Sequence, residues 1–188
     1  MNPGRWWRRR ALPEVLRSAL NQDERIAVTA ACGDGQLLAV SRFGLWVVAD
    51  PGAPTGQARR IGWELIARAR LAARVLSVIP TRVVDHFPDG TNVLVDDPEL
   101  VFGLATRSGL TDVVHNRVRR SVVASRHLPF PGAGGWVVLR RVPGRNGLTR
   151  QVRLDPGADV AVPGFASAVV AVADELAGAI PEGSGTAD

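Results

Sequence analysis

The feature that most constrains this chain is the stretch from residue 37 to residue 63, which reads LLAVSRFGLWVVAD, a polar loop, then RRIGW. Leu37, Leu38, Ala39 and Val40 form one short apolar run; Leu45, Trp46, Val47, Val48 and Ala49 form a second. Both have strand length, and the second is rich in β-branched and aromatic residues. Ser41, Arg42, Phe43 and Gly44 lie between them, and Gly44 is expected to supply the positive φ of a tight hairpin. Asp50-Pro51-Gly52 stops the second run, because proline has no N–H to give to a ladder. An extended pattern resumes over residues 59–63. Upstream, residues 26–32 are apolar and meet Leu37 through Gly33-Asp34-Gly35, a hairpin signal. Residues 26–63 therefore read as an antiparallel meander around which the rest of the chain folds.

Before the meander, Leu12, Val15, Leu16, Ala19 and Leu20 recur at helical spacing, with Pro13 in the first turn and Asn21 as terminator. After it, residues 64–74 suit either a strand or a helix, and the alternation of Ala67, Ala69 and Leu71 with Arg68 and Arg70 favours a strand. Residues 75–79 predict a strand ended by Pro80, with Val83 and Val84 continuing it. A turn at residues 87–90 precedes a short strand at Val93-Leu94-Val95. Asp96-Asp97-Pro98-Glu99 is the only acidic cluster; it reads as the N-cap and first turn of a helix over residues 98–105, the other reading being a metal or acid–base site. Leu110, Val113, Val114 and Val118 predict a second helix, with Asp112 near its start and Arg117, Arg119 and Arg120 near its end, as the helix dipole favours. Residues 121–128 turn strand-like, 129–135 read as a loop, and 136–142 and 149–154 form a second antiparallel pair. Phe165, Val169, Val172 and Leu176 lie on one face of a last helix.

The segments SRFGLWVVAD and RRIGWELI resemble the opening sheet of bacterial pleckstrin-homology-like and GRAM-like domains. Over residues 11–178, with a helix before the sheet and VRLDP near the end, the chain is also similar to small uncharacterised actinobacterial proteins. The resemblance implies a binding module. Pattern and resemblance together give an α+β fold: a bent antiparallel sheet or roll, pleckstrin-homology-like in its first half, with an N-terminal helix, a helix or helices near 98–120 and a C-terminal helix. The expected organisation is a basic arm (1–10), one domain (11–178) and a disordered acidic tail (179–188).

Every one of the 23 basic residues is arginine, and the chain has neither lysine nor tyrosine. A Walker A loop, a Schiff-base lysine and a tyrosine nucleophile are therefore excluded within it. The single cysteine, Cys32, allows no internal disulfide, and a reducing compartment follows as the expectation. Arg8-Arg9-Arg10 lacks the apolar segment of an export signal after it, so the expected location is cytoplasmic, with a possible contact to the inner face of the membrane. Residues 113–154 carry nine arginines and no acid, whereas residues 155–188 carry six acids and no arginine. Either a basic face is presented to nucleic acid, an anionic membrane or an acidic protein, or the acidic C-terminal segment folds over it. The candidate surface contacts are Arg5, Trp6, Trp7, Arg8, Arg9 and Arg10 in the arm, and Arg117, Arg119, Arg120 and Arg126. Adjacent Arg140 and Arg141 must point to opposite faces of their strand, so the arginines cannot all share one patch.

No catalytic, cofactor or metal site is read from the sequence. Cys32, His86, His115 and His127 are scattered, Asp85-His86 is no relay, and the glycines at 132–135 lack dinucleotide-loop spacing. Cys32 lies in an apolar run, where an inert buried thiol is expected. The expected function is non-catalytic binding of a protein partner at a sheet edge or through the flanking helices, with an anionic membrane, nucleic acid and, last, an unrecognised enzyme as alternatives.

Overall fold

The structure, a computed structural model, describes residues 12–53 and 55–180. The proposed arm at 1–10 and the tail from residue 181 lie outside the described residues. The fold is α+β, built among the described residues from two sheets and three helices.

The meander forms as its pattern predicts. Strands β1 (Ile26–Ala31), β2 (Leu37–Ser41), β3 (Gly44–Ala49) and β4 (Gln57–Gly62) pair in sequence order, all antiparallel. Helix α1 (Glu14–Ala19) is shorter than its periodicity suggests, and it covers one face of this sheet by burying Leu16 with Ala39, Trp46 and Val48. The other face, with Leu38, Val40, Leu45 and Ile61, joins the largest core cluster. Burial on both faces explains why β2 reads as an unbroken apolar run. Gly44 does not have positive φ, contrary to the expectation. It is glycine because β4 passes so close that a Cβ would meet the Ile61 carbonyl oxygen at 2.3 Å.

A single 3-10 turn (Trp63–Leu65) leads into a seven-stranded sheet. Its strands are β5 (Ile66–Ala72), β6 (Val75–His86), β7 (Asn92–Asp96), β8 (Leu100–Gly103), β9 (Val122–Phe130), β10 (Ala133–Arg140) and β11 (Thr149–Leu154). Their order is β5-β6-β7-β11-β10-β9, with β8 on the other side of the first half of β6. The sheet is not wholly antiparallel as expected, because β7 and β11 pair in parallel. Pairing of strands more than fifty residues apart leaves no local trace in the sequence.

Two proline-based expectations fail. β6 does not end at Pro80 but runs through it to His86. Pro80 sits where β6 changes partner, beside an irregularity in its pairing with β5, and such a place tolerates a missing donor. Residues 129–135 are not a loop either. Pro129 lies within edge strand β9, and Pro131-Gly132 makes a tight turn between paired Phe130 and Ala133, with Gly132 at φ 73°.

The helix expected over residues 98–105 is strand β8. Leu100, Phe102 and Leu104 point into the core while Val101 and Gly103 point out, a period of two that overrides the capping signal. Asp97 donates its backbone N–H to the Pro80 carbonyl, and its side chain pairs with Arg82. Helix α2 (Leu110–Ser121) falls where expected and buries Leu110 and Val114 in the largest cluster. Helix α3 (Phe165–Gly178) covers one face of β9, β10 and β11. Phe165, fully buried, makes ring contacts with Phe87 and Phe130, and its truncation to alanine is worth about 3–5 kcal/mol. Among the described residues no helix is long and apolar enough to cross a membrane.

Candidate functional site

The period of two assigns every residue of β10 and β11 to one of two faces. Val137, Leu139 and Val152 face α3. Trp136, Val138, Arg140, Gln151 and Arg153 face the opposite way, away from α3, together with Leu94 of β7 and Thr81 of β6. The sheet curls, so that Ala67 of β5 and Val122 and Ser125 of β9, from its two ends, line the same recess of about 140 Å³.

One end of the recess is built by Arg140, only 6% exposed. Its Nη1 donates to the Trp63 carbonyl (3.2 Å) and to Ser121 Oγ (2.6 Å), and its Nη2 donates to the Ile66 carbonyl (3.0 Å). Beside it, the Gln151 amide donates to the Glu64 carbonyl at 3.3 Å. The two side chains thus tie the seven-stranded sheet to the turn that leads out of the four-stranded one. Burial pushes the Arg140 guanidinium down to about 10; Glu64 opposes that shift and the like charge of Arg153 adds to it. Arg140 stays cationic at neutral pH.

Three buried side-chain polar atoms among the described residues have no hydrogen-bond partner: Thr81 Oγ1, Arg140 Nε and Arg153 Nε. All three belong to residues lining this recess. Arg153 Nε lies 3.1 Å from Asp96 Oδ1, an ion pair whose angle falls short of a hydrogen bond. Buried donors without partners are uncommon and mark a place where water or a ligand completes the structure. At the outer end Trp136 is 42% exposed, with the His127 ring 5.4 Å away and His127 itself 2.8 Å from Asp155.

The structure splits the arginines proposed from the sequence. Arg117, Arg119 and Arg120 are exposed at the end of α2. At 100° per residue Arg117 and Arg120 share a side of that helix, while Arg119 is turned away. Arg126 belongs elsewhere: it faces α3 and pairs with Glu175 at 2.5 Å. Arg150 on the same side pairs with Asp174 at 2.7 Å. The acidic C-terminal segment therefore does fold over part of the basic stretch, and the end of α2 is among the parts it leaves. Arg5, Trp6, Trp7, Arg8, Arg9 and Arg10 lie outside the described residues.

The residues weighed for chemistry stay apart. Asp96 pairs with Arg153, Asp97 with Arg82, and Asp85 accepts the His86 backbone N–H at 2.8 Å. Among the described residues no three of His, Cys, Asp and Glu converge as a metal site would need. Burial pushes the Cys32 thiol up to about 11, with Asp34 adding to the shift, so it stays protonated at neutral pH.

Sequence reasoning missed Thr81, Arg140, Gln151 and Arg153 as a group. The alternation did show that one of Arg140 and Arg141 must turn inward. It could not say which, because that depends on the side taken by α3. No known protein family, curated protein or solved structure matches the chain.

Proposed function

We propose that this chain is a non-catalytic binding module that holds a protein partner against the open face of its seven-stranded sheet. One observation carries the reading: α3 seals one face, whereas the other presents half-exposed Trp136 and Val83 beside buried polar atoms that lack partners. Aromatic anchors next to desolvated polar groups are how protein interfaces concentrate their energy. Strand β9 bounds this face and, among the described residues, pairs only with β10, which leaves its outer edge for an extended segment. The likeness of the meander to pleckstrin-homology-like sheets supports a binding role by analogy alone.

The test is capture of the partner by the wild-type chain, its identification, and calorimetry on the purified pair. Trp136→Ser is expected to weaken the complex about thirtyfold, the usual loss at an aromatic hot spot. A partner that binds this variant with wild-type affinity overturns the reading.

A second reading has its own observation. Arg117, Arg119 and Arg120 are exposed and, among the described residues, have no acidic partner. They support contact with an anionic surface, and the arm at 1–10 would add to it. Co-sedimentation with anionic vesicles, comparing the full chain with one starting at Ala11 and with Arg117→Glu/Arg120→Glu, tests this. Sedimentation that salt does not release argues against it.

A further inference from the structure

We propose that the recess between Thr81, Arg140 and Arg153 is a carboxylate-binding site, and that the group it takes is the carboxylate of a ligand whose apolar stem lies against Trp136. The inference rests on the reading of this sheet face as a binding surface.

The donor set argues for an oxygen acceptor. Arg140 and Arg153 each hold an Nε–H without a hydrogen-bond partner, and Thr81 adds a hydroxyl that is 6% exposed. Guanidinium N–H groups that lack partners select anionic oxygen over neutral acceptors. Arg140 cannot swing away to meet solvent, because its two Nη atoms are fixed on the Trp63 and Ile66 carbonyls and Ser121. Its Nε–H is therefore held in place, buried and without a hydrogen-bond partner, on a residue that lines the recess.

Charge balance narrows the class of anion. Arg140 and Arg153 bring two positive charges; Asp96, beside Arg153, and Glu64, whose charge acts on Arg140, bring two negative ones. An anion added to this balanced set is favoured with the least charge, so a monoanionic carboxylate is preferred to a phosphate dianion. The remaining walls include Leu94, Val138 and Trp136, which are apolar and suit a hydrocarbon stem. Asp96 also shows that a carboxylate can approach Arg153 from this face.

The experiment is a titration followed on the arginine Nε–H signals by nitrogen-15 NMR. Arg140→Lys and Arg153→Lys identify the two resonances by their loss. The probes are phenylacetate, a capped extended pentapeptide with a central glutamate, its glutamine counterpart, inorganic phosphate and chloride. Saturable downfield shifts of both Nε–H signals with the first two probes, and not with the glutamine peptide, support the proposal. Tighter binding of the peptide than of phenylacetate identifies a protein segment as the source; the reverse identifies a small organic acid. Thr81→Val is expected to weaken binding about tenfold or more, the worth of one hydrogen bond to a charged oxygen. Asp96→Asn is expected to tighten it several-fold, because it removes the resident carboxylate that competes for Arg153 and raises the local positive charge. The proposal fails if neither signal moves, if chloride or phosphate gives an equal or stronger response, or if Asp96→Asn weakens binding. Each of these outcomes leaves the Trp136→Ser measurement standing, so the site can fail while the binding face survives.

Discussion

Glu24 and Arg140 are both buried charges, one against the four-stranded sheet and one in the seven-stranded sheet, and their surroundings are completed to different degrees. Glu24 is 1% exposed. Its Oε1 accepts from Ser41 Oγ at 2.5 Å and from Trp46 Nε1 at 2.9 Å, and its Oε2 accepts from Arg60 Nη1 at 2.9 Å and from the Asn21 N–H at 3.5 Å. Burial alone would raise its pKa, but the Ser41 and Trp46 hydrogen bonds and the charge of Arg60 hold it below the ordinary glutamate value. Among the described residues Arg140 has no carboxylate in hydrogen-bond contact, donates to neutral oxygens and keeps Nε unpaired. A network with every atom matched has no capacity left for a ligand; its work is to fix where the chain enters β1. One that leaves donors without partners beside a recess keeps that capacity, at some cost in stability.

The largest expected effect breaks the closed network. Glu24→Ala leaves Arg60, Trp46 and Ser41 without their acceptor and is expected to cost about 3–5 kcal/mol. The lower end is favoured because the Arg60 side chain is 35% exposed and can turn to water. The same network sets a pH dependence with a definite sign. A carboxylate whose folded pKa lies below its unfolded value stabilises fully above the unfolded value and loses that stabilisation as pH falls through the folded one. For Glu24 the gap in urea stability between wild type and Glu24→Gln should be widest above about 4.5 and should close as pH falls below it. A gap that stays constant from pH 6 to pH 3 would mean that the charge of Glu24 contributes nothing.

Next in size is the closed side of the open network. Arg140→Met removes the donors for the Trp63 and Ile66 carbonyls and for Ser121, and is expected to cost about 2–3 kcal/mol in urea unfolding. The loss should be smaller than for Glu24→Ala because Arg140 leaves no unpaired charge behind. Arg140→Lys should recover only part of it, since one ammonium cannot reach all three acceptors. An Arg140→Met variant as stable as wild type would show that the recess is merely tolerated and not part of what joins the two sheets.

How far these two centres could be read from the chain follows from their distances in sequence. The meander was legible because its strands are joined by short turns and each pairs with its neighbour. α2 and α3 were legible because a period near 3.6 runs through them. β8 was misread because Asp-Asp-Pro-Glu is a strong helix-start signal, while the inward alternation of Leu100, Phe102 and Leu104 matters only once β6 is there to pair with it. Glu24 was invisible for a similar reason: its partners Ser41, Trp46 and Arg60 lie 17, 22 and 36 residues away. The recess needs strands from β5 to β11, including the parallel β7–β11 junction, and no local pattern announces that pairing. Of the arginines, the acid-free run was plain, but only the folded chain assigns Arg126 and Arg150 to the acids of α3.

The smallest expected effect is the sharpest test, because the comparison turns on its sign. Ser41 and Thr81 are both buried hydroxyls, 0% and 6% exposed. The Ser41 hydroxyl donates to a charged oxygen, so Ser41→Ala should cost about 1.5–3 kcal/mol. Thr81 Oγ1 has no partner among the described residues, and Thr81→Val keeps its shape while removing a polar atom that gains nothing from being buried. Without ligand, that change should leave stability within about 0.5 kcal/mol of wild type or raise it slightly, because an unmatched hydroxyl carries only its desolvation cost. With saturating carboxylate the order should reverse, since wild type gains the bond that the variant lacks. A Thr81→Val variant that is clearly destabilised in the absence of ligand would mean that the hydroxyl is already satisfied, by water held as firmly as Ser41 holds Glu24. Thr81 would then be no donor awaiting a ligand, and only the Arg140 and Arg153 Nε–H groups would be left to argue for one.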